Sequence, residues 1–311
     1  MHTGTLKKMA LALTLWLAVH VPSLRAQIFT NVLPLQADTT GTNPVDFEFR
    51  ADGTLIAKGN YGVGSLLSTD QGVGTRMLWY PALGAFRAGR IAAFLDSTNN
   101  QWDLSNIGSN SVAFGENTTA SGAYSTASGI YTKASGLYSV AMGYYTIASG
   151  YYSTAFGGGA VASGIGSSAF GVSTKATEEA ASAFGFATKA MGHYSTAFGE
   201  GTTASGSYST ASGSYSMASG TYSTASGFYT SASAYDSFAI GMFNVGGGNQ
   251  TAWIATDPLF EIGNGNYGTA SNNYTPTLSD AFVVYKNGSA AFQGPVIVAP
   301  SSDIPMYQPN N

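Results

Sequence analysis

The amino-acid sequence predicts an all-β fold, a parallel β-solenoid of 14-residue coils with non-repetitive, β-rich flanks. Three observations predict it. Glycine fills 40 of the 311 positions, while charged residues make up only 9% of the chain, far below the usual share of about a quarter. An alanine recurs every seven residues from Ala113 to Ala239 without insertion or deletion. The residue after each alanine alternates between large apolar and hydroxylic, so that two heptads form one coil.

Residues 1–26 have the pattern of a secretory signal peptide. Lys7 and Lys8 give a positive start, an apolar run of about a dozen residues follows, and Ala26 precedes the expected cleavage site. The run is shorter than the ~20 residues that a membrane-spanning helix needs. We therefore expect an exported chain with no transmembrane segment after cleavage.

Removal of residues 1–26 leaves 9 basic and 16 acidic residues, no cysteine, and His193 as the single histidine. This count excludes cysteine nucleophiles, cysteine-based zinc sites and multi-histidine metal sites. The weak charge excludes the basic face that nucleic acid requires. Asp38, Asp46 and Asp52 lack the spacing of a calcium-binding EF-hand, and His193 is expected at a variable surface position. The sequence therefore predicts no enzyme, cofactor or metal.

Residues 27–106 precede the repeats and are expected to form an N-terminal β cap. Asp46–Arg50, Asp52-Gly53 and Thr54–Ala57 indicate a strand, a tight turn and a second strand. A cap is needed because the terminal coils of a solenoid otherwise expose their core.

The repeat unit is A-x-G-x-Y-S/T-x, as in the segment Ala120–Thr126. Glycine stands two residues after the alanine in 17 of the 19 units, and serine or threonine stands five residues after it in most units. A coiled coil is excluded, because it needs large apolar residues at two positions per heptad and each glycine costs a helix about 1 kcal/mol. Short strands separated by glycine-containing turns fit the pattern.

Strand alternation assigns the side chains of each coil to an interior and an exterior. In the segment Ser153–Gly157, serine, alanine and glycine share one side, and the two residues between them share the other. The first side is small in nearly every unit and is expected to fill a narrow interior. The outward positions of one heptad series include three lysines, as a solvent-facing surface should: Lys133, Lys175 and Lys189.

The other heptad series carries a row of large apolar residues on its outer side. Monomers rarely expose such a continuous stripe, so either the flanking segments or other copies of the chain must cover it. A long repetitive stripe matches another copy better than it matches a short flank, which favours a parallel homo-oligomer. The expected interface residues are Phe114, Met142, Phe156, Phe170, Phe184, Phe198 and Ile240.

Tyrosine recurs four residues after the alanine. On successive 14-residue coils these side chains are expected to form stacks. The stacks either stiffen the turn edges or offer a broad, rigid adhesive surface with polar tips. The candidate adhesive residues are Tyr124, Tyr131, Tyr138, Tyr145, Tyr152, Tyr194, Tyr208, Tyr215, Tyr222 and Tyr229.

The segment Asn110–Gly115, followed by Ala120–Gly122, resembles the N-S-V-A-I-G…A-x-G repeat of YadA-like heads in trimeric autotransporter adhesins. Phe114 stands where that repeat usually has isoleucine. The resemblance extends in unbroken register over residues 107–241. It implies a left-handed parallel β-roll, three copies packed about one axis as a homotrimer, and a place on a bacterial cell surface or outer membrane.

Residues 242–298 are expected to form a C-terminal β connector. A glycine triplet breaks the heptad register, and Phe260–Gly265 and Ala281–Phe292 indicate strands, with a type I′ hairpin turn at Asn287-Gly288. The proline- and asparagine-rich end, residues 299–311, is expected to be an unstructured tail.

These features together predict an exported, non-catalytic surface protein that acts as an adhesin-like head. Its expected partners are copies of itself and an extracellular matrix protein, glycan or cell-surface receptor. A structural spacer or fibre module without a ligand would have the same fold and is a second interpretation. An ice-binding solenoid is disfavoured, because the outward positions are not uniformly threonine: Thr126, Val140, Thr154, Ser168 and Ser182.

Overall fold

The computed structural model describes the protein over residues 47–49, 55–57, 72–93, 99–268 and 275–293. These residues form β-strands and two short 3-10 helices, which confirms the all-β prediction. The signal peptide and the C-terminal tail expected from the sequence lie outside the described residues. No helix within the described ranges is long and apolar enough to cross a membrane.

The chain divides into two compact units, residues 1–60 and 61–311. In the first unit, β1 (Phe47–Phe49) and β2 (Leu55–Ala57) pair antiparallel. This confirms the two strands expected there. The turn expected at Asp52-Gly53 lies outside the described residues.

The second unit is a solenoid in which every coil has one longer and one shorter strand. The longer strands are β5 (Val112–Glu116), β7 (Thr126–Ile130), β9 (Val140–Tyr144), β11 (Thr154–Gly158), β13 (Ser168–Val172), β15 (Ser182–Phe186), β17 (Thr196–Glu200), β19 (Thr210–Ser214), β21 (Thr224–Phe228) and β23 (Phe238–Met242). The shorter strands are β6 (Thr119–Ala120), β8 (Lys133–Ala134), β10 (Ile147–Ala148), β12 (Val161–Ala162), β14 (Lys175–Ala176), β16 (Lys189–Ala190), β18 (Thr203–Ala204), β20 (Met217–Ala218) and β22 (Ser231–Ala232).

Flanking elements continue the sheet of longer strands at both ends. They are β3 (Gly74–Tyr80), the 3-10 helix Pro81–Leu83, β4 (Ala85–Ile91), the 3-10 helix Leu104–Asn106, β24 (Pro258–Asn264), β25 (Asp280–Tyr285) and β26 (Ala290–Phe292). The result is a 15-stranded sheet, which we call the long sheet, opposite a nine-stranded sheet, which we call the short sheet.

Each solenoid strand pairs in parallel with the strand one coil later. Ala155 therefore lies beside Ala169, and Phe156 beside Phe170. The short strands follow the same rule, as when Ala148 pairs with Ala162. This register confirms the 14-residue period and the parallel solenoid.

The interior is as narrow as the sequence predicts. All the repeated alanines from Ala113 to Ala239 are fully buried, and the serines and threonines five residues after them are buried as well. Most turns that follow short strands carry serine. The hydroxyl of Ser125 and that of Ser153 donate to the carbonyl oxygen of the glycine three residues earlier, both at 2.6 Å, whereas the Ser195 hydroxyl accepts from the Gly192 N–H at 3.1 Å. Most turns that follow long strands carry threonine instead.

The glycine two residues after each alanine is required by the close approach of successive coils. In the long sheet Gly157 has a φ of +121°, and a Cβ atom there would lie far inside van der Waals contact of the Gly171 carbonyl group. The neighbouring Gly158 has no such constraint, since a Cβ atom there would meet only the Val172 side chain, at 3.8 Å.

A buried arginine closes the N-terminal end of the solenoid. β4 lies beside β5, with Arg87 at the register position of Ala113. The guanidinium is fully buried and donates to the carbonyl oxygens of Ser111 and Ala120, both at 2.9 Å, and to the Ser111 hydroxyl at 2.7 Å. Burial lowers the pKa of Arg87 to about 10, so the group stays charged at neutral pH.

A buried glutamate closes the C-terminal end. β24 lies beside β23, with Glu261 at the register position of Ala239. Its carboxylate accepts hydrogen bonds from Asn244 Nδ2 at 2.9 Å and from the Gly246 N–H at 3.0 Å. Desolvation, and then the nearby charge of Asp280, raise the pKa of Glu261 to about 7.

The C-terminal hairpin is present, but its turn is not of the expected type. β25 and β26 pair antiparallel around Asn287-Gly288. A type I′ turn requires positive φ at both central residues, and Asn287 does not have it; Gly288 does, with a φ of +83°. The turn is closed instead by the Gly288 N–H, which donates to the Tyr285 carbonyl oxygen at 2.9 Å.

We expect Gly157→Ala to destabilise the solenoid by several kcal/mol, because the new methyl group collides with the next coil and alanine must adopt a strained positive φ. Gly158→Ala is the matched control, since its site is open, and it should change the free energy of unfolding by less than about 1 kcal/mol. Denaturant unfolding followed by circular dichroism measures both. Equal effects would contradict the role assigned to the Gly157 row.

We expect Glu261→Gln to alter the pH dependence of stability. Because the pKa of Glu261 is raised to about 7 on folding, the stability that this group contributes is fully present below about pH 4.5 and is lost as the pH rises through 7. The variant lacks this titration and should exceed the native protein at pH 8 by up to about 3 kcal/mol, with little difference at pH 4. Thermal unfolding between pH 4 and 8 measures stability against pH for both proteins. Parallel curves would contradict the prediction.

Candidate self-association and contact surfaces

The outer face of the long sheet carries the expected apolar row, one residue after each alanine. The structure places all seven predicted interface residues in this row, which we call the Phe row, in register from β5 to β23. Neighbouring rings contact one another, with centroids 6.3 Å apart for Phe156 and Phe170 and 5.4 Å apart for Phe170 and Phe184. Phe156 is 50% exposed and Phe198 is 60% exposed.

A second apolar row on the same face escaped the sequence reasoning. It lies three residues after the alanine, where the strand points outward again beyond the inward-facing glycine. The signal was available, since strand alternation extended by one more residue would have found it. Its large exposed members are Ile130, Tyr144, Val172, Phe186 and Met242.

The described flanking strands lengthen this face and do not fold over it. Phe86 on β4 contacts Phe114 with ring centroids 5.6 Å apart, and Phe260 on β24 contacts Phe238 at 5.8 Å. Both flanks thus add aromatic rings at the two ends of the face. The sequence left two possible covers for the Phe row, the flanks or other copies. With the described flanks in place, Phe114, Phe156 and Phe198 remain 44%, 50% and 60% exposed. In the second row, Tyr267 of the C-terminal flank contacts Phe228 with ring centroids 5.9 Å apart.

The outer face of the short sheet is more polar. Lys133, Lys175 and Lys189 are exposed there, as the sequence predicts, and Lys175 pairs in register with Lys189. The position after the alanine on this face is mostly serine. The two outer faces of the solenoid therefore differ in chemistry, and the apolar one is the long sheet.

The repeated tyrosines occupy turns in a left-handed backbone conformation. Their φ values lie between 53° and 62°, a region that costs a non-glycine residue roughly 1 kcal/mol or more. Their rings stack on those of the neighbouring coils, with centroids 4.7 to 5.1 Å apart and interplanar angles of 4° to 17°. These contacts confirm the predicted stacks and offset the backbone cost.

The ten tyrosines are divided between two edges of the solenoid. The A edge, formed by the turns after the short strands, carries Tyr124, Tyr138, Tyr152, Tyr194, Tyr208 and Tyr222. The B edge, formed by the turns after the long strands, carries Tyr131, Tyr145, Tyr215 and Tyr229. Each edge has a central gap without tyrosine. Within a stack the ring faces contact one another, whereas Tyr152 at the end of a stack has Gly166 on the next coil and is 61% exposed.

Acidic residues accompany some tyrosines. The Tyr194 hydroxyl donates to Glu179 at 3.0 Å, and the Tyr215 hydroxyl donates to Glu200 at 3.3 Å. The hydrogen bond to Glu179 and the charge of Glu200 respectively are the main causes that raise the pKa of Tyr194 and of Tyr215. Both tyrosines consequently remain protonated donors at neutral pH.

His193 lies on the surface, as expected. Its Nε2 is 3.4 Å from Glu178 Oε2, and both side chains are about half exposed. Among the described residues no three histidine, cysteine or acidic side chains are grouped so as to hold a metal ion.

Comparison with known families identifies the solenoid. The family described as the YadA head domain repeat (2 copies) matches residues 107–132, 134–160, 162–188, 190–216 and 218–244. The matches tile the coils without a long break and together span 134 of the 311 residues. Residues 107–244 are therefore a run of YadA head repeats, which confirms the resemblance seen in the sequence. The curated proteins contain no match to the chain.

Proposed function

We propose that this protein is an exported, homotrimeric, non-catalytic head at the bacterial cell surface, which attaches the cell to a host, a matrix or other cells. The observation that carries the proposal is the uncovered apolar face of the long sheet on a YadA-type solenoid. The signal-peptide pattern of residues 1–26 supports export.

Self-association accounts for the exposure of that face. Two mostly apolar rows run along the long sheet. They are interrupted by Ser128, Ser212 and Ser226 in the Phe row and by Glu116, Gly158, Glu200 and Ser214 in the second row. A monomer in water rarely keeps so much apolar surface exposed, and a repetitive face is matched best by a second copy with the same spacing. Three copies about a common axis would bury the Phe row of each and leave the short sheets, with their lysines, in solvent.

Attachment accounts for the tyrosine edges. Tyrosine presents a large amphipathic ring with few rotatable bonds, which lowers the entropy lost on binding. Stacks repeated along each chain and on three chains multiply weak individual contacts. The partner class that fits is an extended ligand, such as a glycan or a matrix protein.

A spacer without a ligand is the second candidate. It is favoured by the use of the ring faces in stacking, with centroids about 5 Å apart, since the tyrosines then stiffen the turns. Ice binding has less support, because the outward threonines of the long sheet share their face with the Phe row and are interrupted by Val140, Ser168 and Ser182.

We expect the variant Phe156→Ser/Phe170→Ser/Phe184→Ser to lose trimer assembly, by about a hundredfold or more in dissociation constant, because three anchoring rings leave each interface. Sedimentation over a range of concentrations measures this. Lys133→Ser/Lys175→Ser/Lys189→Ser, on the short sheet, is the control and should assemble normally. A well-folded native monomer would contradict the homotrimer.

We expect alanine substitution of the six A-edge tyrosines, in a trimer that still assembles, to reduce attachment to cells, matrix proteins or glycan arrays by about tenfold or more, because multivalent contacts are lost together. Substitution by phenylalanine keeps the stacks and removes only the hydroxyls. If both sets bind as the native protein does, the adhesive role of this edge is wrong and the spacer is favoured.

A further inference from the structure

Two positions of each long-sheet coil, the Phe row and the B-edge turn residue three residues later, carry one aromatic ring between them. Further rings lie at other positions of the long strands: Tyr144, Phe186, Phe228 and Phe238. Where the row has phenylalanine, the turn residue is small: Phe114 with Asn117, Phe156 with Gly159, Phe170 with Ser173, Phe184 with Ala187 and Phe198 with Gly201. Where the row has serine, the turn has tyrosine: Ser128 with Tyr131, Ser212 with Tyr215 and Ser226 with Tyr229. In the two other coils, Met142 accompanies Tyr145 and Ile240 accompanies Phe243.

This exchange is confined to one side of the solenoid. On the A edge the residue after the alanine is mostly serine whether or not the turn carries a tyrosine, as Ser149 with Tyr152 and Ser163 with Gly166 illustrate. A general rule of the coil would apply to both turns. The exchange therefore reflects a condition that acts on the long-sheet face alone.

Rings contact neighbours of their own row within the chain. Phe170 stacks on Phe184 at 5.4 Å, and Tyr131 stacks on Tyr145 at 4.7 Å. The backbone also accepts a long side chain in both places, since Met142 and Tyr145 occur in one coil. One ring shared between these two positions in every coil is the pattern expected when neighbouring copies fill a common space from two sides.

We propose that copies of this chain pack laterally in coil-for-coil register, with each ring of the Phe row in one copy filling the space beside the small B-edge residue of the same coil in the next copy. In coils where the Phe row has serine and the B-edge turn carries the ring, that ring fills the space beside the serine of the neighbouring copy. This inference rests on the proposed function in taking the long-sheet face as the interface between copies, and it adds the device that sets their register.

If one copy shifted by one coil along the other, the match would be lost wherever a coil with a Phe-row ring adjoins a coil with a B-edge tyrosine. In one direction Phe198 would meet Tyr215, with two rings in one space; in the other direction Phe156 would meet Tyr145. Serine would then face a small turn residue elsewhere, as for Ser212 beside Gly201, and leave a void. Overpacking and voids both destabilise a close-packed contact, so the aligned register is the favoured one.

Two single substitutions in one coil test the pairing in the full chain. Phe170→Ser removes a ring and Ser173→Tyr adds one, and each alone should weaken self-association by on the order of tenfold or more. Ala180→Tyr is the matched control, because its backbone φ of 52° resembles the 57° of Ser173 but it lies on the A edge. A ring added there should leave self-association unchanged.

Combination of the two changes distinguishes contacts between copies from contacts within one. The double variant Phe170→Ser/Ser173→Tyr repeats the natural arrangement of Ser226 with Tyr229 and should associate more tightly than either single variant. The two single variants, refolded together with different mass tags, should form mixed oligomers above the binomial proportion in native mass spectrometry. The added ring of one copy then fills the cavity of the other. The pair Phe184→Ser and Ala187→Tyr repeats the test should Ser173→Tyr not fold.

The outcomes separate the register from the interface. Mixed oligomers at or below the binomial proportion, or a double variant no tighter than the weaker single one, would overturn the coil-for-coil pairing while leaving the long-sheet interface in place. A native chain that sediments as a folded monomer would overturn the proposed trimer, and the pairing with it.

Discussion

The spacing of successive coils is the constraint on which the rest of the molecule depends. In the long sheet the backbone of one coil approaches the glycine of the previous coil so closely that no side chain fits between them. The two departures from glycine, Glu178 and Ala234, both fall on the short-sheet side, where the glycines do not have positive φ.

Such tight stacking leaves no room for large side chains inside the solenoid, so the large apolar side chains of the repeats lie on its surface. The chain is 44% hydrophobic, yet the interior admits alanine, serine, threonine and glycine. Within the repeats most phenylalanine, isoleucine and tyrosine side chains therefore lie outside, where the strand alternation and the left-handed turns fix their rows; Phe243, at the end of the repeats, is buried. Apolar area that an ordinary domain would bury in its own core is available here only for contact between molecules. The constraint that sets the coil thus also places the apolar rows on the surface.

The repetitive part of the structure could be predicted from the sequence, and the non-repetitive part could not. The period, the buried alanines and the tyrosine stacks all follow from residues that recur, because a recurring residue meets the same surroundings in each coil. Arg87 and Glu261 belong to no repeat, and charged residues are rarely buried. The sequence pattern therefore did not predict that they would lie beside the buried alanines of the first and last long strands. Their burial depends on backbone carbonyl and N–H groups at the coil ends, which only the assembled solenoid exposes. The prediction of a type I′ turn at Asn287-Gly288 was wrong for a related reason. The turn type depends on the loop length, and the loop length is set by the strand pairing.

The two ends of the solenoid bear on the lateral association that we propose. A parallel solenoid with open ends offers unpaired backbone groups that another coil could join. Here Arg87 donates to carbonyl groups of the first coil, and Glu261 accepts from the Gly246 N–H beyond the last coil. Beyond each, an antiparallel strand replaces the parallel register, β3 on β4 and β25 on β24, so a further 14-residue coil finds no matching partner. Both ends of the solenoid thus depart from the repeat whereas the long-sheet face keeps it, which supports the lateral contact between copies that we propose.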